Sequence, residues 1–466
     1  MAERVDVAIV GGGISGLAAA HALTKRGVRF TLLEAQPRFG GVIRTERESG
    51  FILEAGPDAL LAQKPEGVAL CRELGLGDRL VPTNPDARTV FVSRRGRLHP
   101  LPEGMMLAVP TRALPFLRSG LFSWPGKLRM GLELLIPASS DGADESIASF
   151  LRRRFGQECV DRLGEPLLAG IHAGDPEQLS IRATFPRFVE LERRHGSLIR
   201  GMWASAPASS TASSGFVSLK DGLGELVTAL ADRLPAASLR KATPVRWVHR
   251  SGAGLTVVVG GGATLSVRAV VMAAPAPKAA SILEPLAPET AAFLADIVFA
   301  STATILLGYR RADVTHPLNG YGFVVPRSEG SLVSALSFVS TKLLGRAPEG
   351  HVLLRAFVGG MRDPKALELE DAALVAAVVQ ELTPLLGLRA EPVLTRVFRW
   401  PSATPQMQVG HLERLAAIEP EVATIPGLFL SGAGLRVTGI PDCIADGTRA
   451  GEAAAAYLTR VGGRSA

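Results

Sequence analysis

Cysteine is scarce in this chain: three in 466 residues, at Cys71, Cys159 and Cys443. They are odd in number and far apart. That argues against a disulfide framework and against a C-x-x-C metal site, so no metal is expected, and a reducing, cytoplasmic setting is. Long apolar runs are also missing. No stretch reaches the roughly 18 residues of a transmembrane helix. The opening Met1-Ala2-Glu3-Arg4-Val5-Asp6-Val7 is acidic early and apolar only briefly, so no signal peptide is expected. Aromatic residues are 5% of the chain. Lys+Arg (51) exceeds Asp+Glu (44) by seven, and the pI is about 9.6. The basic residues are nevertheless scattered, apart from Arg152-Arg153-Arg154 and Arg193-Arg194, with few aromatics among them. Nucleic acid is therefore not the expected partner. The excess charge suits an anionic small substrate or an anionic membrane surface equally well. No internal repeat is present.

What the chain does have is apolar content: 47% hydrophobic against 20% charged residues. This is globular, and 466 residues suggest two or three domains at about 150 residues each. Val5 to Val10 reads as a strand, Gly11 to Gly16 as a turn, Leu17 to Lys25 as a helix and Val28 to Leu33 as a second strand. A short strand at Phe51 to Leu53, a helix at Pro65 to Leu74 and a hairpin around Arg94-Arg95-Gly96 follow. Residues 103–200 read as helical with proline breaks, including helices at Ile147 to Phe155 and Cys159 to Leu168. Residues 203–214 are Ser/Ala-rich and read as a linker. Beyond it come a helix at Gly224 to Leu234 and strands at Thr243 to Val248, Leu255 to Val259 and Val267 to Met272. Residues 300–360 are strand-rich, Asp371 to Leu386 is helical, Gly427 to Ser431 is a strand, and a last helix begins near Gly447.

The strongest local motif is G-x-G-x-x-G at Gly11, Gly13 and Gly16, with a strand before it, a helix after it and Glu34 ending the next strand. Glycines there allow a tight turn and close backbone approach to a pyrophosphate. The helix N-terminus supplies N–H donors and a positive dipole end. An acid at Glu34 would accept from the hydroxyls of an unphosphorylated ribose. The alternative is a glycine-rich turn in a carrier without cofactor.

Arg38-Phe39-Gly40-Gly41-Val42-Ile43-Arg44-Thr45 follows, then Glu54-Ala55-Gly56-Pro57-Asp58, and near the other end Gly432-Ala433-Gly434 with Gly439-Ile440-Pro441-Asp442. These three pieces resemble the flavin amine-oxidase superfamily. Glu165 to Asp175, Leu179-Ser180, Thr184-Phe185-Pro186, Gly320 to Pro326, Phe357 to Gly360, Pro405-Gln406 with Gly410-His411, and Asp442-Cys443-Ile444 resemble the porphyrinogen oxidases of haem synthesis more narrowly. Pro110-Thr111, Ser119 to Ser123 and Gly439 to Cys443 look most like the branch that oxidises coproporphyrinogen III; the sister branch takes protoporphyrinogen IX. The sister branch carries an arginine near the position of Val90, with Arg88 two residues away here. The family usually has an aromatic where Met407 stands.

The resemblance implies an α/β fold. A Rossmann-type FAD-binding domain would be assembled from residues 1–86, 215–283 and 405–466. A substrate domain with a mixed or antiparallel sheet would use 87–102 and 284–404, with a helical subdomain at 103–202. It implies non-covalent FAD held by Gly11, Gly12, Gly13, Ile14, Ser15, Gly16, Glu34, Ala35, Gly41, Val42, Gly56, Pro57, Asp58, Ala59, Val245, Trp400, Thr438, Gly439 and Ile440. Substrate would meet Gly170 through its carbonyl and Tyr321, Val324 and Phe357 through their apolar faces. Lys64, Arg94, Arg95 and Arg97 are the candidates for its carboxylates. His172 reads as structural rather than as a proton shuttle, and no acid/base pair is evident.

The implied reaction is a six-electron oxidation of a porphyrinogen to a porphyrin. Hydride is lost to flavin N5 three times, oxygen is the acceptor and hydrogen peroxide is formed. Downstream haem-pathway enzymes are implied partners. The oily 103–135 segment has two readings, a surface resting on a membrane or the core of a soluble subdomain, and the second is favoured. Other readings of the whole chain are a protoporphyrinogen IX oxidase, another flavin oxidase or desaturase acting on amines or carotenoids, and a lipid or prenyl-protein carrier of the same fold.

Overall fold

The computed structural model describes residues 3–462, apart from 107, 140–141, 206–214 and 253. Most of the expected linker at 203–214 lies outside the described residues; Trp203 belongs to helix Leu198–Ala204.

Two seven-stranded sheets organise the chain. In the first, strands Leu239–Arg240, Phe30–Leu33, Glu3–Val10, Thr264–Met272 and Leu428–Leu430 run parallel, and Gly254–Val259 and Val245–Ser251 extend it antiparallel. Successive side chains point to opposite faces. Val7, Ile9, Ala269 and Val271 meet helices Ile14–Lys25, Gly224–Asp232 and Ile440–Gly462. Ala8, Val10, Val270 and Met272 meet helices Ala276–Leu283, Pro288–Asp296 and His411–Ala423. Both faces are covered, which is why these strands read as continuous apolar runs.

The first and last helices cross at backbone contact. A Cβ on Gly447 would stand 2.1 Å from the Ser15 carbonyl oxygen, and one on Gly451 2.6 Å from that of Ala19. Only glycine permits such an approach. The four-residue steps match in the same direction, so both helices present their N-termini toward the same end of the sheet.

The second sheet runs in the order Leu394–Pro405, Phe299–Arg310, His351–Gly359, Val333–Phe338, Gly322–Val324, Val90–Arg94, Arg97–Pro100. All neighbours are antiparallel except Gly322–Val324 with Val90–Arg94. One face packs on helix Asp371–Leu386 through Ile305, Leu307, Leu354 and Ala356. The other presents Val324, Ala335 and Phe357 to a helical insert built around Phe150, Phe155, Leu163 and Leu168.

Several expectations need correction. The last helix begins at Ile440, not near Gly447. Pro441 suits a first helical turn, where its missing N–H costs nothing. The helix expected over Cys159 to Leu168 is divided into Gln157–Cys159, a π-turn at Val160–Gly164 and Glu165–His172. Pro166 offers no N–H there, which interrupts the regular ladder. Strand Leu394–Pro405 was not evident because it carries Arg396, Arg399, Pro401 and Pro405. It is an edge strand, where charge and proline are tolerated.

Candidate active site

Three parallel strands end side by side at Val10, Met272 and Leu430. The turn after the first holds Gly11 at φ +106°, where a Cβ would stand 2.7 Å from the Ala273 carbonyl oxygen. A Cβ on Gly16 would lie 1.9 Å from the Gly11 carbonyl oxygen, so this glycine lets the helix sit against its own turn. Gly13 differs: a Cβ there meets nothing within 4 Å. It stands at the N-cap of helix Ile14–Lys25, which has no side-chain cap. The structure thus leaves open space and free helix N–H groups at the position that suits a phosphate.

Glu34 is 9% exposed at the end of its strand. Its carboxylate accepts from Gly12 N at 2.6 Å and Gln36 N at 2.7 Å. Each oxygen has a second lone pair, so ribose hydroxyls can still be accepted. Thr243 N donates to the Glu34 carbonyl at 2.8 Å, which brings the entry of strand Val245–Ser251 beside this end. Ala35 is exposed just beyond.

The next loop folds over the first turn. Gly40 N donates to Gly12 O at 2.8 Å, and a Cβ on Gly41 would be 3.4 Å from the Gly13 Cα. Arg38 clamps this loop through the Gly41, Ile43 and Phe39 carbonyls, at 2.5, 3.2 and 3.3 Å. Val42 is 43% exposed, and its carbonyl oxygen would lie 2.0 Å from a Cβ on Gly56. Trp400 Nε1 donates to the Ala55 carbonyl at 2.9 Å, fixing the indole against the Gly56-Pro57 loop.

At the far end of the chain, Gly432 (φ +123°) follows the third strand, and its N–H donates to Asp446 Oδ2 at 2.9 Å. Ser431 Oγ donates to the same oxygen at 2.8 Å. Thr438 and Gly439 lead into the N-terminus of helix Ile440–Gly462, where Lys64 Nζ holds Asp442 at 2.5 Å. Cys443 is buried one turn inside, and burial pushes its thiol up to about 12.

Between the second sheet and the insert lies an apolar face. A Cβ on Gly170 would be 3.1 Å from the Ala335 Cβ and 3.5 Å from Val324 Cγ1. Phe357 packs against the same core. Arg355, two residues earlier on its strand, stacks over the Phe357 ring at 4.6 Å.

A family model described as flavin containing amine oxidoreductase matches residues 14–455. The chain belongs to this family. It is therefore an FAD-dependent oxidoreductase. The coproporphyrinogen III oxidase of Bacillus subtilis is 37% identical, over 98% of this chain and 99% of the relative. The chloroplastic protoporphyrinogen oxidase of Nicotiana tabacum is 29% identical, over 98% and 87%. A crystal structure of an Exiguobacterium sp. 255-15 protein superposes with a TM-score of 0.86 at 32% identity, covering 98% of this chain and 99% of that one.

The residues fit the family's flavin. The N-terminus of helix Ile14–Lys25, an uncluttered Gly13 and a second glycine loop across it suit a pyrophosphate, and Glu34 suits a ribose. The structure brings Gly170, Val324 and Phe357 to one apolar face. The other substrate candidates have surroundings of their own. Tyr321 spends its hydroxyl on Thr83 Oγ1 at 2.9 Å and the Asn84 carbonyl at 3.0 Å. Lys64 is paired with Asp442. Arg95 is exposed at the hairpin tip (φ +51°), and Arg94 donates to the Gly120 carbonyl at 3.1 Å. The Asp58 side chain is held by Lys342, Nζ to each oxygen at 2.9 Å, with Arg355 at 3.6 Å. Burial alone would raise its pKa; Lys342 and Arg355 hold it down at about 2. Lys342 and Arg355 escaped the sequence reading. The available signal was an arginine in the middle of the apolar strand His351–Gly359.

Proposed function

We propose that this oxidoreductase converts coproporphyrinogen III to coproporphyrin III with oxygen as acceptor. The observation that carries the reading is an apolar face with Gly170, Val324 and Phe357 converging and a buried cation beside it, which suits an oily macrocycle with carboxylate arms. The full-length similarity to the B. subtilis coproporphyrinogen III oxidase supports the same branch. A flavin held there would supply two-electron oxidation, needed three times per substrate, with oxygen as acceptor and hydrogen peroxide as its product. Val324 and Phe357 hold the ring and keep water out, and the Gly170 carbonyl faces the pyrrole N–H groups. Residues 1–86, 215–283 and 405–466 hold the cofactor in this reading; 87–102 and 284–404 form the substrate sheet, covered by 103–202. The FAD is non-covalent: a buried Cys443 with a raised pKa is a poor nucleophile. The test is kcat/KM under air for the two porphyrinogens, read by porphyrin fluorescence. Turnover of coproporphyrinogen at least tenfold better supports the reading. A preference for protoporphyrinogen, or a colourless protein without flavin absorbance, overturns it.

The insert supports a narrower proposal about location. No helix among the described residues is long and apolar enough to cross a membrane. Phe116, Leu121, Phe122 and Met130 are core. Trp124, Leu128, Leu132 and Leu135 instead follow one another at helical spacing with exposures of 70, 69, 44 and 76%. We propose that this stripe, with the exposed Arg118 nearby in sequence, rests on an anionic lipid surface. Co-sedimentation with anionic but not neutral vesicles is expected; equal absence from both sinks the idea.

A further inference from the structure

Arg355 is 5% exposed, yet its Nε and Nη1 have no hydrogen-bond partner. The neighbouring anion does not meet this need. Lys342 donates to both oxygens of Asp58, and Arg355 Nη1 stands 3.6 Å from Oδ2, an ion-pair distance too long for a hydrogen bond. The wider buried cluster adds Glu54 and Arg346. Glu54 accepts from Thr45 Oγ1 and Leu223 N, each at 2.7 Å. Arg346 donates to Ser218 Oγ and to the Leu219 and Lys220 carbonyls. Three cations, Lys342, Arg346 and Arg355, thus surround Asp58 and Glu54, and Glu225 and Asp221 also act on Arg346. A buried guanidinium with unmet donors is costly unless an anion reaches it.

The direction of this group is fixed by the strand. Residues two apart share a face. Arg355 therefore shares the face of Phe357, whose ring packs on Val324, Ala335 and the insert, and its guanidinium lies between that ring and Asp58. We infer that Arg355, supported by Lys342, is a carboxylate-binding subsite within the substrate space, taking one acidic arm of a substrate whose ring lies against Phe357. The inference rests on the porphyrinogen reading above. It gives that reading a specificity element: an apolar ring alone is not enough, and at least one free carboxylate is required.

The experiment is a direct titration of the flavin-loaded protein with coproporphyrin III and with its tetramethyl ester in the same detergent. It is followed by porphyrin fluorescence for the wild type, Arg355→Lys and Arg355→Met. The wild type should bind the acid at least tenfold more tightly than the ester. Arg355→Met should weaken acid binding by roughly 10- to 100-fold and leave the ester within about twofold. Arg355→Lys should fall between, because it keeps the charge but not the guanidinium geometry. An unchanged acid Kd in Arg355→Met, or equal weakening of acid and ester, overturns the subsite while leaving the porphyrin reading intact. A wild type that binds neither ligand overturns the porphyrin reading itself. Should Arg355→Met fail to fold or to hold flavin, Arg355→Gln keeps part of the stem and a donor, and the same two ligands decide by the same criterion.

Discussion

Two of the buried arginines, Arg154 and Arg355, lie beside carboxylates in different regions and are treated in opposite ways. In the helical insert, Arg154 is fully buried and every edge of its guanidinium is used. It donates to Glu133, to the Ile136 and Pro137 carbonyls at 2.9 and 3.1 Å, and to the Gly196 carbonyl at 2.9 Å. Glu133 in turn accepts from Ser197 Oγ at 2.6 Å and Leu198 N at 2.8 Å, at the start of helix Leu198–Ala204. In the second sheet, Arg355 has two unmet donors and an anion already engaged by another cation. A charge that the chain satisfies by itself ties segments together. A charge left unsatisfied in an equally dry place is poised for a group the chain does not supply.

The largest effect should come from Arg154→Met, which strands the Glu133 carboxylate in a dry core. A loss of about 3–5 kcal/mol in unfolding free energy is expected, read by urea melts on the fluorescence of Trp124 and Trp203. Glu133→Gln in the same chain should recover part of it. A melt within about 1 kcal/mol of the wild type would break the comparison from the Arg154 side. Next comes Lys342→Met. Asp58 loses both of its 2.9 Å hydrogen bonds, and roughly 1.5–3 kcal/mol should go with them. The pKa of Asp58, now about 2, should rise toward the value burial favours, so a new acidic limb should enter the pH profile of activity. An unchanged profile would mean that Arg355 alone holds the carboxylate. Arg355→Met should change stability by less than about 1 kcal/mol, because no acceptor loses a hydrogen bond. A drop as large as that of Arg154→Met would make Arg355 a structural tie and erase the distinction.

The cofactor half was legible because its chemistry is local. The turn Gly11 to Gly16, the acid Glu34, the loop at Gly40-Gly41 and the Gly56-Pro57 step each sit within a few residues of the strand or helix that defines them. The substrate half was less so. Gly170, Val324 and Phe357 are far apart in sequence, and their resemblance to family segments, not any spacing, brought them forward. Basic residues on a hairpin tip, such as Arg95, looked available because exposed cations are visible in a sequence. Arg355 and Lys342 were hidden because what makes them notable is burial without partners, a property of the assembled sheet. The boundary drawn after residue 283 separates two helices, Ala276–Leu283 and Pro288–Asp296, that pack in one core. Pattern along the chain did not show that contact.

A third cation-forming group sharpens the contrast at smaller scale. His172 ends the helix that carries Gly170, edge-on to Phe185 at a centroid distance of 5.8 Å. No carboxylate among the described residues pairs with it, and burial lowers its pKa to about 4. Because the folded value lies below the ordinary 6.5, the unfolded chain binds more protons between the two. Stability from this group is complete above pH 6.5 and is lost as pH falls toward 4. His172→Gln should remove that part of the pH dependence, seen as a smaller fall in melting temperature between pH 7 and pH 4.5 than in the wild type. Identical falls would show that the imidazole finds a partner when charged. The insert would then satisfy His172 as it satisfies Arg154, and Arg355 would be the odd one of three.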